Sequence, residues 1–301
     1  MPAVRPFVDR LLPGADGATI NVADWPGTQG PLVCVHGLTS SSRAFAGLAS
    51  ELPDVRLLAV DCRGRGESSK EGPFGMRQHA EDLAAALDAA GIERATFVGH
   101  SMGAYVVEAF AAAYPERVEQ LVFVDGGYFL DYPAELTPDM LLEMMLGTFL
   151  EKLRRTWTSF EEYCDYYRAT PMYAGGIDEY GLEHFRYDLT GQPPELRSKI
   201  VEECVAPDWR DVLDYPAVTE RLAGIEVPVL LLRAPGGLMG TGDAVIPDEV
   251  RDAIVKAVPQ TQVVDVPGTN HHTILTSVSG ARAVAAAVTA FTSDRASERV
   301  N

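Results

Sequence analysis

The fold is decided by residues 96–114, which begin Thr96-Phe97-Val98-Gly99-His100-Ser101-Met102-Gly103 and continue as an apolar run to Tyr114. Residues 96–98 are a short β-branched and aromatic run with the look of a buried strand, and 102–114 carry a helical pattern. Between them a serine sits on a strand-to-helix turn, with glycines two residues before and two after. Such a turn strains the serine backbone and brings it close to neighbouring strands, so the flanking side chains must be absent. It also puts Ser101 at a helix N-terminus, whose N–H groups favour developing negative charge. Ser101 is therefore the candidate nucleophile. The plainer alternative, an idle serine in a Gly-rich helix cap, is disfavoured by the strand and helix on either side.

Outward from this turn, short apolar runs alternate with helical patterns. Residues 19–23, 32–35, 57–60 and 120–124 read as strands, and 76–90 as a helix closed by Gly91. After residue 227 the alternation resumes: strand 229–232, helix 249–258, strand 262–266, helix 281–291. Strands separated by helices of ten or more residues imply right-handed crossovers and a mostly parallel sheet. Residues 128–222 break the rhythm. They are helix-like, contain Met140, Met144 and Met145, hold most of the aromatic residues, and show no clear strand. They read as an insertion into a core made of 1–127 and 223–301. The polar residues 292–301 read as a frayed end.

Composition narrows the function. The chain has 301 residues, of which 25 Lys+Arg stand against 43 Asp+Glu, a net charge of −18. So acidic a surface repels phosphate backbones and anionic lipid, which argues against nucleic acid or a membrane as partner. The four cysteines (Cys34, Cys62, Cys164, Cys204) form no CxxC pair and no metal-type cluster, which fits a reducing compartment. The first residues have no apolar signal-like region, so a cytoplasmic protein is expected. There is no HExxH, no Walker loop and no GxGxxG after a strand. No metal and no organic cofactor are expected.

Two further motifs join the serine turn. Val35-His36-Gly37-Leu38 follows a strand, and Asp61-Cys62-Arg63-Gly64-Arg65-Gly66-Glu67-Ser68 follows the next. On these three motifs the chain resembles the α/β-hydrolase family over residues 19–291. The resemblance implies a mostly parallel eight-stranded sheet flanked by helices, with 128–222 as a helical cap over the active site. It implies an oxyanion hole made by the backbone N–H groups of Met102, after the nucleophile, and of Leu38. It makes His36 and His100 structural, and the DxRGxGxS turn a structural marker without chemistry of its own.

The serine needs a base titrating near neutrality, which means a histidine. His79 and His184 read as surface or pocket residues. The family places its base in the loop after the last strand, here Asn270-His271-His272, which assigns His271 as base and His272 as pocket wall. The acid has two candidates: Asp125, at the end of strand 120–124, and Asp243, beyond a Gly-rich loop after strand 229–232. A strand end fixes a carboxylate better than a long loop, so Asp125 is favoured and Asp243 stays as the alternative.

The expected activity is hydrolysis of a carboxylic ester or lactone of a hydrophobic small molecule, aromatic residues and methionines of the insertion lining its pocket. A serine at the turn argues against epoxide hydrolases and haloalkane dehalogenases, which use aspartate there. Carbon–carbon bond hydrolysis or a cofactor-free perhydrolase would use the same triad, and a ligand receptor that kept the fold is a rival of another class. Whether the chain forms a homodimer is left open.

Overall fold

Continuous apolar runs become central strands, and the edges are polar. The computed structural model describes residues 4–128, 132–133, 135–240, 242 and 244–298. The strands are β1 (Val8–Pro13), β2 (Thr19–Trp25), β3 (Gln29–Val35), β4 (Val55–Val60), β5 (Ala95–His100), β6 (Val118–Val124), β7 (Leu189–Thr190), β8 (Arg197–Ser198), β9 (Val229–Arg233) and β10 (Thr261–Asp265). Eight of them form one sheet in the order β1-β2-β4-β3-β5-β6-β9-β10. Within this sheet β1 and β2 pair antiparallel, as do β2 and β4, and its other pairings are parallel. This is the mostly parallel eight-stranded sheet expected.

The helices are α1 (Ala46–Glu51), α2 (Met76–Ala90), α3 (Met102–Ala113), α4 (Pro138–Arg154), α5 (Phe160–Arg168), α6 (Glu179–Asp188), α7 (Val205–Val212), α8 (Tyr215–Ala223), α9 (Asp248–Ala257), α10 (Thr273–Thr276) and α11 (Val278–Glu298). The period of two along β3 sorts its side chains between two cores. Val33 and Val35 pack with Leu83 and Leu87 of α2 and Phe110 of α3. Leu32 and Cys34 pack on the other face with Leu48 of α1 and Val284 and Val288 of α11. A strand buried on both faces must be apolar throughout, which is why these runs were legible.

Three features differ from the sequence reading. β1 was not read as a strand, because it is an edge: Val8 and Leu11 are 63% and 64% exposed and only Leu12 is buried, so it has no continuous apolar run. The polar end does not fray at 292, since α11 continues to Glu298. The segment between β6 and β9 is not wholly helical; β7 and β8 form a two-stranded antiparallel pair.

In that segment each of four helices starts at a polar residue whose side chain accepts a backbone N–H: Thr137 from Met140, Ser159 from Glu162, Asp178 from Gly181 and Asp214 from Ala217. The helices then bury aromatics against one another. Tyr167 stacks on Phe185 at 4.2 Å, and Tyr163 meets Trp157 edge-on at 5.0 Å. Phe129, one of the aromatics expected there, lies outside the described residues. No helix among the described residues is long and apolar enough to cross a membrane.

Candidate active site

The turn between β5 and α3 carries Ser101 at φ 52°, ψ −121°, a conformation that costs an L-residue energy. Its neighbours have room for nothing larger than hydrogen. A methyl group on Gly103 would lie 2.0 Å from the Val35 carbonyl oxygen, and one on Gly99 would lie 2.4 Å from the Gly103 carbonyl oxygen. The glycines of the motif are thus required by close backbone approach. The Ser101 N–H donates to Val124 O at 3.0 Å, which fixes the turn to the end of β6.

Asp125 follows on that strand end, fully buried and also at positive φ, 50°. Its N–H donates to Leu232 O at 2.8 Å, and Ala234 N–H donates to its Oδ1 at 3.1 Å. The other oxygen, Oδ2, accepts from His271 Nδ1–H at 2.8 Å. On the far side of the imidazole, Ser101 Oγ–H donates to Nε2 at 3.0 Å. The structure therefore brings together Ser101, His271 and Asp125. Asp243 lies outside the described residues.

The histidine loop is held by backbone. His271 N–H donates to Gly236 O at 3.1 Å, and its carbonyl accepts from His100 Nε2–H at 2.8 Å. Asn270, where glycine is more usual, ties this loop down: its Oδ1 accepts from the N–H groups of His272 and Thr273, and its Nδ2 donates to Met172 O at 2.8 Å. Burial pushes the His271 imidazole down to about 4 and the Asp125 carboxyl up to about 7, since both charged forms lose hydration. At neutral pH His271 is the uncharged imidazole, the form able to take a proton from serine.

Leu38 and Met102 flank Ser101 on the cavity wall. Met102 opens α3, so its N–H has no acceptor within the helix. His36 organises the loop before Leu38: its Nδ1–H donates to Gly37 O at 2.7 Å, and Cys62 N–H donates to its Nε2 at 3.0 Å. Both of its nitrogens serve backbone, as expected of a structural histidine.

Two lobes of cavity meet at Ser101, Leu38, Leu238 and His271. One, about 260 Å³, is apolar and walled by Tyr105, Tyr128, Met145, Trp209, Val212 and Val245. The other, about 70 Å³, runs past Ser40, Phe149, Tyr173, His184, His272 and Thr276. His272 is pocket wall, its Nε2–H donating to Leu238 O at 2.8 Å. Of the three methionines expected to line the pocket only Met145 does; Met140 and Met144 are 47% and 70% exposed. His184 is a half-buried pocket residue, and loss of hydration lowers its imidazole to about 4. His79 is neither surface nor pocket: it is buried on α2, bonded to both oxygens of Asp208 on α7 at 3.0 Å. Among the described residues no group of three or more His, Cys, Asp or Glu side chains is placed to hold a metal ion.

The sheet order, the serine turn and the histidine loop agree with a family comparison in which the α/β hydrolase fold matches residues 30–278. The chain belongs to the α/β-hydrolase fold family. It is an enzyme of that family. A 2-hydroxy-6-oxononadienedioate/2-hydroxy-6-oxononatrienedioate hydrolase of Burkholderia vietnamiensis (strain G4 / LMG 22486) is 28% identical over 244 residues, 77% of each chain. Esterase YbfF of Escherichia coli (strain K12) is 40% identical over 96 residues, 32% of this chain and 38% of that one. Among solved structures, E-2-(acetamidomethylene)succinate hydrolase superposes with a TM-score of 0.78 at 21% identity, covering 96% of this chain and 100% of that one. At that identity the structural likeness speaks for the α/β-hydrolase fold alone.

Proposed function

We propose that this α/β hydrolase cleaves a carboxylic ester or lactone of a hydrophobic small molecule through a Ser101–His271–Asp125 triad. The observation that carries the reading is the continuous chain of hydrogen bonds from Ser101 Oγ through both imidazole nitrogens to Asp125. Ser101 Oγ attacks the carbonyl carbon while His271 Nε2 takes its proton. The Leu38 and Met102 N–H groups hold the oxyanion, a contribution of about 3 kcal/mol for each well-placed donor. The tetrahedral centre collapses, the C–O bond to the alcohol breaks, and His271 returns the proton to that oxygen. Water, deprotonated by His271, then releases the acid from Ser101.

The apolar lobe beneath Trp209 and Tyr128 favours an aliphatic or aromatic group over a sugar or phosphate. Residues 128–222 act as its lid, and the partner is the small molecule itself. Four buried, unpaired thiols suit a reducing compartment such as the cytoplasm. A second reading, carbon–carbon bond hydrolysis on the same triad, is favoured by the relative from Burkholderia vietnamiensis.

The test is intact-mass measurement after exposure to a fluorophosphonate, followed by turnover of aryl acetates, aromatic lactones and a vinylogous diketone. One adduct, lost in Ser101→Ala, with ester or lactone turnover is the expected result. Diketone turnover without ester turnover would favour the second reading. No adduct on folded protein would overturn the triad.

A further inference from the structure

The Asp61–Ser68 turn was expected to be a marker without chemistry, yet its middle holds a buried cation that the reaction scheme leaves unused. Arg65 is fully buried. Its Nε–H donates to the Leu38 carbonyl at 3.0 Å, and Nη1 donates to Arg63 O at 2.9 Å. Nη2 lies 3.8 Å from Met102 Sδ. One guanidinium therefore touches both residues whose N–H groups are assigned to the oxyanion. The countercharge comes from the inserted segment: Asp208 of α7, fully buried, sits 2.6 Å from Nη1. Asp208 in turn accepts from Gly75 N–H at 2.7 Å and from His79, so both its oxygens are used.

A charge removed from water costs several kcal/mol unless it is paired and bonded, and a hydrophobic residue could fill the space at less cost. Retaining a planar fork there makes sense if its geometry matters. Guanidinium donors are fixed in one plane, so docking Asp208 on one edge orients the Nε–H on the other. We propose that Arg65 is a positioning residue that aligns the oxyanion loop at Leu38 and that Asp208 sets its orientation, so that the inserted α7 and the oxyanion hole are assembled together. The inference rests on the triad and oxyanion assignment above. Arg65 acts through Leu38 and Met102 and touches no substrate.

The experiment uses the full chain with an aryl acetate, together with fluorophosphonate labelling. Arg65→Lys keeps a cation for Asp208 but not the planar fork. It should lower kcat about tenfold or more, with KM within about twofold, because misaligned donors fail only when charge develops. Labelling of Ser101 should slow in parallel. Asp208→Asn should show the same split with a smaller loss. Arg65→Met/Asp208→Leu removes both charges, so it stays foldable if either single variant does not, and it should be as slow as Arg65→Lys or slower. Asp139→Asn, which breaks an exposed α4–α7 ion pair with Arg210, is the control and should match wild type.

A folded Arg65→Lys or double variant with wild-type kcat would overturn the inference while leaving the triad standing. A loss confined to KM would also overturn it, since that would make the pair part of the substrate pocket. Wild type that neither labels nor turns over would remove the triad, and the inference with it.

Discussion

The frame around Ser101 and the roof above it are built by different rules. In the frame, every reacting group is held by backbone: Ser101 by Val124, Asp125 by Leu232 and Ala234, His271 by Gly236. Strand ends and tight turns leave these side chains one place to be. In the roof, side chains hold side chains. Trp157, Tyr167 and Phe185 each meet Tyr163 edge to face, and Lys152 meets Asp188 at 3.1 Å in a buried pair. Under the proposed function, the frame serves chemistry that any ester shares and the inserted segment the choice of which ester enters. That division can be tested.

The hardest blow falls on the frame. Ser101→Ala should lower kcat on the order of a millionfold while substrate affinity changes little, read from burst-free steady-state kinetics and unchanged ligand titration. Asp125→Asn should cost about ten-thousandfold, because an amide supports the wrong imidazole tautomer. Asp243→Asn should stay close to wild type; if it fell as far as Asp125→Asn, the assignment of the acid would have to be reversed. In the roof, Trp209→Ala should cost about tenfold in kcat/KM for a bulky aromatic ester and much less for a short aliphatic one. Equal losses for both esters would erase the proposed division.

The smallest effect is the dependence on pH. Burial holds His271 below its ordinary value of 6.5, at about 4. A lowered imidazole pKa means that protonation disables the base only at more acid pH. The acid limb of kcat/KM should therefore have its midpoint below 6.5 on protein shown to be folded throughout. A midpoint above 6.5 would overturn that expectation and place the limiting protonation on the raised Asp125 carboxyl or on an imidazole that this carboxylate holds up against burial.

The same contrast explains what could be read from sequence. Gly99-His100-Ser101-Met102-Gly103 and His36-Gly37-Leu38 are local solutions to local problems, so their spacing pointed to the frame and to Ser101 as candidate nucleophile, while the family resemblance pointed to His271 in Asn270-His271 as candidate base. The proposed acid was narrower than a motif, because Asp125 is held by the Ala234 N–H and His271, both more than a hundred residues away. β1 was hidden because an edge strand with one buried residue carries no apolar run. His79 was misplaced because its partner Asp208 is 129 residues distant on another helix. Arg65 did leave a signal, a charge inside the Gly-rich turn that follows the apolar strand β4. Only the fold reveals that Leu38, Met102 and Asp208 converge on it.

Three non-glycine residues among those described have positive φ, and two of them are Ser101 and Asp125. Glycine relaxes such a backbone and asparagine tolerates it better than most residues. Replacing Ser101 or Asp125 with Gly would ease the chain at two of these positions and remove a group of the proposed triad. A library of this protein sorted for heat resistance alone would drift toward those substitutions. Selection for thermostability must therefore be coupled to a readout of catalysis, or it will enrich inactive folds.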